Sequence, residues 1–226
     1  MTGRGVATTT LVTGANRGIG LALAQRFSAR GDQVIAVCRR TSDALADTGA
    51  RVEAGVDVTD QKAVAGLAER LQDVRIDTLV LNAGILERDS LSNLAFDAFR
   101  RQVEVNALGP LIVLHALQDR IADGGKVALI TSRMGSMEDN TSGGYYGYRA
   151  SKAALNAIGK SLAVDLAPRN IAVVLLHPGY VATEMVGGGG DVSPDEAAKQ
   201  LIERIDALAP TQTGTFQHAN GSPLPW

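Results

Sequence analysis

Cysteine is almost missing from this chain. Cys38 is the only one in 226 residues, so no disulfide can form within it. That usage suits a reducing compartment and predicts a cytoplasmic protein. A charge excess is missing too. The formal net charge of −2 offers no basic surface for nucleic acid or anionic lipid. Long apolar runs are absent: the stretch 171–176 is far short of the ~20 residues a membrane helix needs. Residues 1–10 lack the charged-then-apolar pattern of a secretory leader, and a first strand starting near Thr8 leaves no room for one. The three histidines, His115, His177 and His218, stand far apart without metal-ligand spacing. They are expected to be structural, with no metal site. Seven prolines are scattered, so no linker is expected.

What is present is ordinary globular composition, 45% hydrophobic and 20% charged, at a length that fits one α/β domain over 1–226. Short β-rich apolar runs alternate with helical stretches. Strands are expected at 9–12, 34–37, 51–56, 76–81, 126–131, 171–176 and 215–218. Helices are expected at 19–30, 60–72, 96–118, 148–167 (stopping at Pro168) and after the Ser193-Pro194 start signal. Buried strands alternating with helices imply an α/β fold. The sheet is a single doubly wound parallel one of about seven strands, with helices on both faces. Ligands of such sheets bind beyond the carboxyl ends of the strands, so residues just after strands carry the functional reading. The run Gly187 to Gly190 is either a mobile loop at a substrate mouth or simply disorder.

Between the first strand and helix stands Thr13-Gly14-Ala15-Asn16-Arg17-Gly18-Ile19-Gly20. Glycines let the backbone turn tightly and approach a pyrophosphate, and the helix N-terminus presents free N–H groups to it. An NAD site usually places an acid about 20 residues on, at the end of the second strand. Here Cys38, Arg39 and Arg40 stand instead. A carboxylate would repel a 2′-phosphate, whereas a guanidinium pairs with one. Arg39, with Arg17 from the other side, therefore predicts NADP(H). Cys38 is then a small filler beneath the adenine.

Tyr148-Arg149-Ala150-Ser151-Lys152 puts a phenol and an amine on one helical face at i and i+4. A phenol with a pKa near 10 is a poor base at neutral pH, and a neighbouring ammonium, together with the positive nicotinamide ring, favours the phenolate. Lowering the pKa by ~3 units takes roughly 4 kcal/mol of differential interaction. Ser132, at the end of the fifth strand, offers a hydroxyl to a substrate oxygen; Ser136 is its rival in the same loop. Asn106, a polar residue in an apolar helix, needs bonding partners.

The spacing Gly-x-x-x-Gly-x-Gly together with Tyr-x-x-x-Lys resembles the short-chain dehydrogenase/reductase superfamily, over about residues 8–185. The resemblance implies a Rossmann fold with a cofactor half of about 6–120 and a catalytic half of about 121–226. Asp57 and Val58 match the superfamily's adenine-contacting pair. Asn82-Ala83-Gly84 matches its Asn-Ala-Gly motif, where the asparagine either braces the sheet or contacts cofactor. Asn106 matches the asparagine supporting a water that links Lys152 to solvent, and Ser132 the catalytic serine that precedes x-x-Gly. Pro178, Val181 and Thr183 match Pro-Gly-x-Val-x-Thr, which holds the carboxamide and phosphates. The cofactor set implied is Gly14, Asn16, Arg17, Gly18, Ile19, Gly20, Arg39, Asp57, Val58, Asn82, Ala83, Gly84, Tyr148, Lys152, Pro178, Val181 and Thr183. The catalytic set is Asn106, Ser132, Tyr148 and Lys152. Gly143-Gly144-Tyr145-Tyr146 and the ending Asn220 to Trp226 resemble the C-factor and sniffer-like carbonyl reductase branch.

The implied activity is hydride transfer between NADP(H) and a carbonyl or alcohol small molecule, most simply ketone or aldehyde reduction, in a homodimer. Two rivals share the fold: a non-catalytic NADP(H)-binding sensor, and a different reaction class such as epimerisation or dehydration. The substrate pocket is expected from residues 85–89, 134–146 and the segment after Thr183. Tyr145, Tyr146 and Tyr180 there suit a ketone, an aldehyde or a quinone.

Overall fold

The computed structural model describes residues 8–226. The leader expectation for residues 1–10 therefore lies largely outside the described residues. Seven parallel strands form one sheet: β1 (Thr9–Thr13), β2 (Gln33–Val37), β3 (Arg51–Glu53), β4 (Ile76–Leu81), β5 (Ile121–Ile130), β6 (Ala172–His177) and β7 (Thr215–His218). Their order is β3-β2-β1-β4-β5-β6-β7, all pairs parallel. The winding reverses between β1 and β4, which opens a crevice at their carboxyl ends.

Side chains alternate along each strand, so each strand feeds two cores. Leu11, Leu79, Leu129 and Leu175 point to one face. There they meet Val64 and Leu67 of α3 (Gln61–Arg70), Val113 and Leu117 of α5 (Gly109–Leu117), and Leu155 and Leu162 of α6 (Tyr146–Asp165). Val12, Val80, Ala128 and Val174 point to the other. They meet Leu23 and Phe27 of α1 (Gly18–Ala29) and Leu201 and Ile205 of α7 (Pro194–Ala207). Start signals behave as their chemistry requires. The Ser193 hydroxyl accepts from Glu196 N at 3.1 Å, with Pro194 next in the chain. Asp60 accepts from Lys62 N and Ala63 N at the head of α3.

The expected helix over 96–118 is interrupted. α4 (Phe96–Val103) passes through a π turn, Glu104–Leu108, into α5. Pro110 explains this. It has no N–H to offer the Asn106 carbonyl and its ring crowds that carbonyl, so the turn widens and Gly109 N bonds Glu104 O, five residues back. β5 starts five residues earlier than expected. Ile76 pairs with Ile121 and Thr78 with Lys126, so the Asp123-Gly124-Gly125 stretch is absorbed as an irregularity. β3 ends at Glu53 rather than 56, and α6 ends at Asp165, with Pro168 inside a 3-10 turn, Ala167–Arg169. The short α2 (Asp43–Ala46) has no sequence expectation behind it. Its cap Ser42 also donates to Asn16 O at 2.8 Å, tying it to the glycine loop.

α6 lies close against β6. A Cβ on Gly159 would sit 2.7 Å from Leu175 Cδ2 and 3.0 Å from its Cγ, and Leu175 is fully buried. Gly159→Ala should therefore lower stability by about 1–3 kcal/mol through overpacking, read as a shift of the urea midpoint at unchanged slope.

Candidate active site

Past the carboxyl ends of β1, β4, β5 and β6 lies a crevice of about 1270 Å³. That exceeds the roughly 300–1,000 Å³ of an ordinary small-ligand pocket, leaving room for a cofactor and a second molecule. Its lining takes in every residue of the cofactor set predicted from the sequence, together with Ser132. Of the predicted catalytic residues, Asn106 alone is not part of that lining.

The glycine loop forms the floor. Gly14 has φ +67 and its N–H bonds Val37 O at 2.8 Å. A Cβ on Gly20 would sit 2.2 Å from Gly14 O, so α1 starts directly against the turn. Asn82 braces this floor: Nδ2 donates to Thr13 O at 3.0 Å, and Asn82 N donates to Thr13 Oγ1 at 3.0 Å. Of the two roles weighed for Asn82, bracing is the one whose bonds are visible. At the end of β2 no acid stands. Arg39 and Arg40 are exposed, and Cys38 is buried, its thiol pushed up by burial. Arg39 Nη1 lies 3.8 Å from Asp57 Oδ2. Burial pushes the Asp57 carboxyl up, but hydrogen bonds from Thr59 N and Oγ1 and the charge of Arg39 outweigh it and leave the group below its ordinary value. Arg17 Nη1 is 2.7 Å from Glu184 Oε2, on the opposite wall.

The inner wall holds three of the residues predicted for catalysis. Tyr148, Lys152 and Ser132 are each less than a tenth exposed. Lys152 Nζ donates to Ile130 O at 2.8 Å and lies 5.8 Å from the centre of the Tyr148 ring. The sequence expectation of a lowered phenol pKa rests on the amine together with a nicotinamide ring; the chain's own burial of the phenol acts in the opposite direction. Burial pushes Tyr148 up to about 12, with Ser132 pulling modestly the other way, and burial pushes Lys152 down to about 8. The ammonium is aimed at a strand-end carbonyl rather than at the phenol, and desolvation dominates both groups.

Ser132 Oγ accepts from Met134 N at 3.1 Å. The rival Ser136 is engaged elsewhere: its hydroxyl donates to Trp226 O at 3.1 Å and accepts from Asp139 N, and it is not among the crevice residues. The glycine after Ser132-x-x has a physical reason. A Cβ on Gly135 would come within 2.7 Å of the Lys152 carbonyl carbon, so the serine loop rests on the catalytic helix. Asn106 is fully buried. Its Oδ1 accepts from Ile85 N at 2.8 Å, and Nδ2 donates to Ile85 O at 2.8 Å and Ser151 Oγ at 3.0 Å. Its side chain thus joins the π turn to α6 and to the chain after β4.

Sequence reasoning missed three features. His177 and His218, far apart in the chain, are register partners on β6 and β7, with ring centres 5.0 Å apart and nearly perpendicular. His177 lines the crevice. Burial, aided by the charges of His218, Arg133 and Lys152, pushes it down to about 4, so its imidazole is neutral at physiological pH. Among the described residues, no group of three or more His, Cys, Asp or Glu could hold a metal. Glu184 gave no signal, because its contact is set by the fold. Asp89 gave none either, yet it caps α6: its carboxylate accepts from Tyr146 N and, at 3.0 Å, from Gly147 N, while its carbonyl accepts from Tyr145 N at 3.0 Å. Tyr145 turns there with φ +51.

With the geometry in place, comparison with known proteins fits it. The short chain dehydrogenase family model matches residues 8–207. The chain belongs to this family, and is an oxidoreductase of it. It is 43% identical over 224 residues, 96% of this chain and 99% of the relative, to 1-hydroxy-2-glutathionyl-2-methyl-3-butene dehydrogenase of Rhodococcus sp. (strain AD45). It is 39% identical over 154 residues to C-signal of Myxococcus xanthus, covering 67% of this chain and 93% of that one. Among solved structures it superposes on the carbonyl reductase Sniffer of D. melanogaster with a TM-score of 0.88 at 27% identity, covering 98% and 100% of the two chains. It matches a carbonyl reductase of Pseudomonas aeruginosa PAO1 in complex with NADP with a TM-score of 0.86 at 34% identity, over 98% and 100%. These likenesses bear out the C-factor and sniffer-like branch. Among the described residues, no helix is long and apolar enough to cross a membrane.

Asp89→Ala should remove the cap and cost about 0.5–2 kcal/mol, seen in chemical unfolding. Asp89→Asn keeps an acceptor and should lose clearly less.

Proposed function

We propose that this chain is an NADP(H)-dependent carbonyl reductase, a single-domain, cytoplasmic enzyme acting on ketones or aldehydes. The observation that carries this reading is the joint burial of Tyr148, Lys152 and Ser132 on the inner wall of one crevice whose other end is ringed by arginines. The fit of the phosphate-tagged cofactor rests on the same crevice. Gly14, Gly18 and Gly20 bring backbone close to a pyrophosphate, α1 presents its N-terminus, Arg17, Arg39 and Arg40 line the crevice, and no acid stands at the end of β2 to exclude a 2′-phosphate. Val181 and Thr183 line the far wall, suited to hold the nicotinamide end. The NADP-bound Pseudomonas relative supports this choice.

A bound nicotinamide supplies or accepts the hydride. The residues of the chain manage the proton. Tyr148, a neutral phenol in the buried site, donates to the carbonyl oxygen as charge develops there. Ser132 donates a hydrogen bond to the same oxygen and lowers the cost of that charge. The Lys152 ammonium stabilises the phenolate left behind and holds the ribose, and Asn106 keeps the π turn in place beside the relay that restores the proton. In reverse, Tyr148 acts as the base, the direction named for the Rhodococcus relative. The buried thiol of Cys38, without a disulfide partner, suits a reducing cytoplasm. Exposed Phe96 and Leu108 on the α4–α5 face support a homodimer, which light scattering at micromolar concentration should report as twice the chain mass.

Tyr148→Phe should lose carbonyl-dependent NADPH oxidation by at least ~10²-fold, while fluorescence titration shows NADPH still bound. Unchanged turnover would reject this mechanism. The wild-type kcat/KM for reduction should fall as pH rises through about 8, where Lys152 gives up its proton and can no longer stabilise the phenolate. Tyr148, with its pKa near 12, stays protonated across that range.

A further inference from the structure

Arg17 and Glu184 reach across the crevice from opposite walls. Arg17 precedes α1 with no side-chain cap of its own, and Glu184 opens the 3-10 turn Glu184–Val186 after Thr183. Their side chains meet at 2.7 Å although 167 residues separate them. The walls are close here: a Cβ on Gly18 would be 3.4 Å from Thr183 Cγ2. Both residues line the crevice, and both side chains are mostly exposed, 63% and 78%. An exposed pair of this kind is weak and readily exchanged, whereas a phosphate dianion offers a guanidinium two charge-assisted bonds.

We propose that Glu184 is a specificity-determining residue for the cofactor: its carboxylate holds Arg17 across the crevice mouth, and a 2′-phosphate must displace it to gain that guanidinium. This rests on the NADP(H) reading. An internal competitor lowers apparent affinity by the fraction of molecules in which the guanidinium is engaged. A cofactor without the 2′-phosphate makes no claim on Arg17 and is spared that cost. Displacement frees the Glu184 side chain, while its turn keeps the backbone bonds from Val186 N and Gly188 N to Thr183 O at 3.1 and 2.8 Å. Met185 and Val186 of this turn line the crevice as well.

The test is a binding cycle on the full chain, with NADPH and NADH titrated by fluorescence into wild type, Glu184→Gln, Arg17→Met and the double variant. Glu184→Gln should tighten NADPH about two- to fivefold, the span an exposed pair allows, and leave NADH unchanged. In the Arg17→Met background the same substitution should have no effect. An unchanged NADPH affinity in Glu184→Gln overturns the proposal. So does equal tightening of both cofactors, or a gain that persists without Arg17, since each means plain repulsion rather than competition. The wild-type preference between the two cofactors tests the NADP(H) reading separately. A wild type that binds both equally would remove that reading, while the comparison of variant with wild type still decides the role of Glu184.

Discussion

The hydrogen bond from Lys152 Nζ to the Ile130 carbonyl is the tie on which the site depends. An ammonium taken out of water is costly unless partnered, and here its principal partner is the last carbonyl of β5. That bond joins α6 to the end of the sheet. Gly159 against Leu175 brings the helix close enough for it, and Gly135 against the Lys152 backbone seats the serine loop on the same point. Tyr148, one turn earlier on α6, is carried into position by this docking. The elements that bear proton chemistry are thus registered to one another through backbone contacts, while their own polar atoms face the crevice.

The same sheet separates two tasks. The reversal of winding between β1 and β4 opens the crevice, with arginines at one end and the phenol at the other. Each arginine predicted to hold a phosphate has a carboxylate nearby: Arg17 beside Glu184 at 2.7 Å, Arg39 beside Asp57 at 3.8 Å. These contacts screen positive charge that would otherwise repel itself. At the catalytic end the opposite holds. Desolvation rules, and it keeps Tyr148 protonated while loosening the proton on Lys152.

Much of this was legible in the sequence because the signals are local. Alternation of apolar runs gave the parallel sheet and its strand count, and β4 and β7 fall on their expected limits. Glycines at fixed offsets marked the loop, and the i, i+4 spacing of Tyr148 and Lys152 marked the helix face. What was missed depends on distant parts of the chain. The π turn requires Pro110 to be read against the carbonyl four residues back. The first half of β5 lies outside its expected limits and is strand because β4 pairs with it. The His177–His218 contact exists because β6 and β7 are neighbours, and the pKa of Tyr148 is decided by burial, which no spacing reveals.

Asp89 belongs to the chain after β4, next to residues that line the crevice, yet its carboxylate and carbonyl both accept N–H groups at the start of α6. A stretch that lines the crevice is therefore tied at one point to the helix that bears Tyr148 and Lys152. Leu86 and Arg88 of the same stretch border the crevice. A substitution at residue 89 reaches the start of that helix as well as the crevice border, so reshaping the pocket there also disturbs the frame that holds Tyr148.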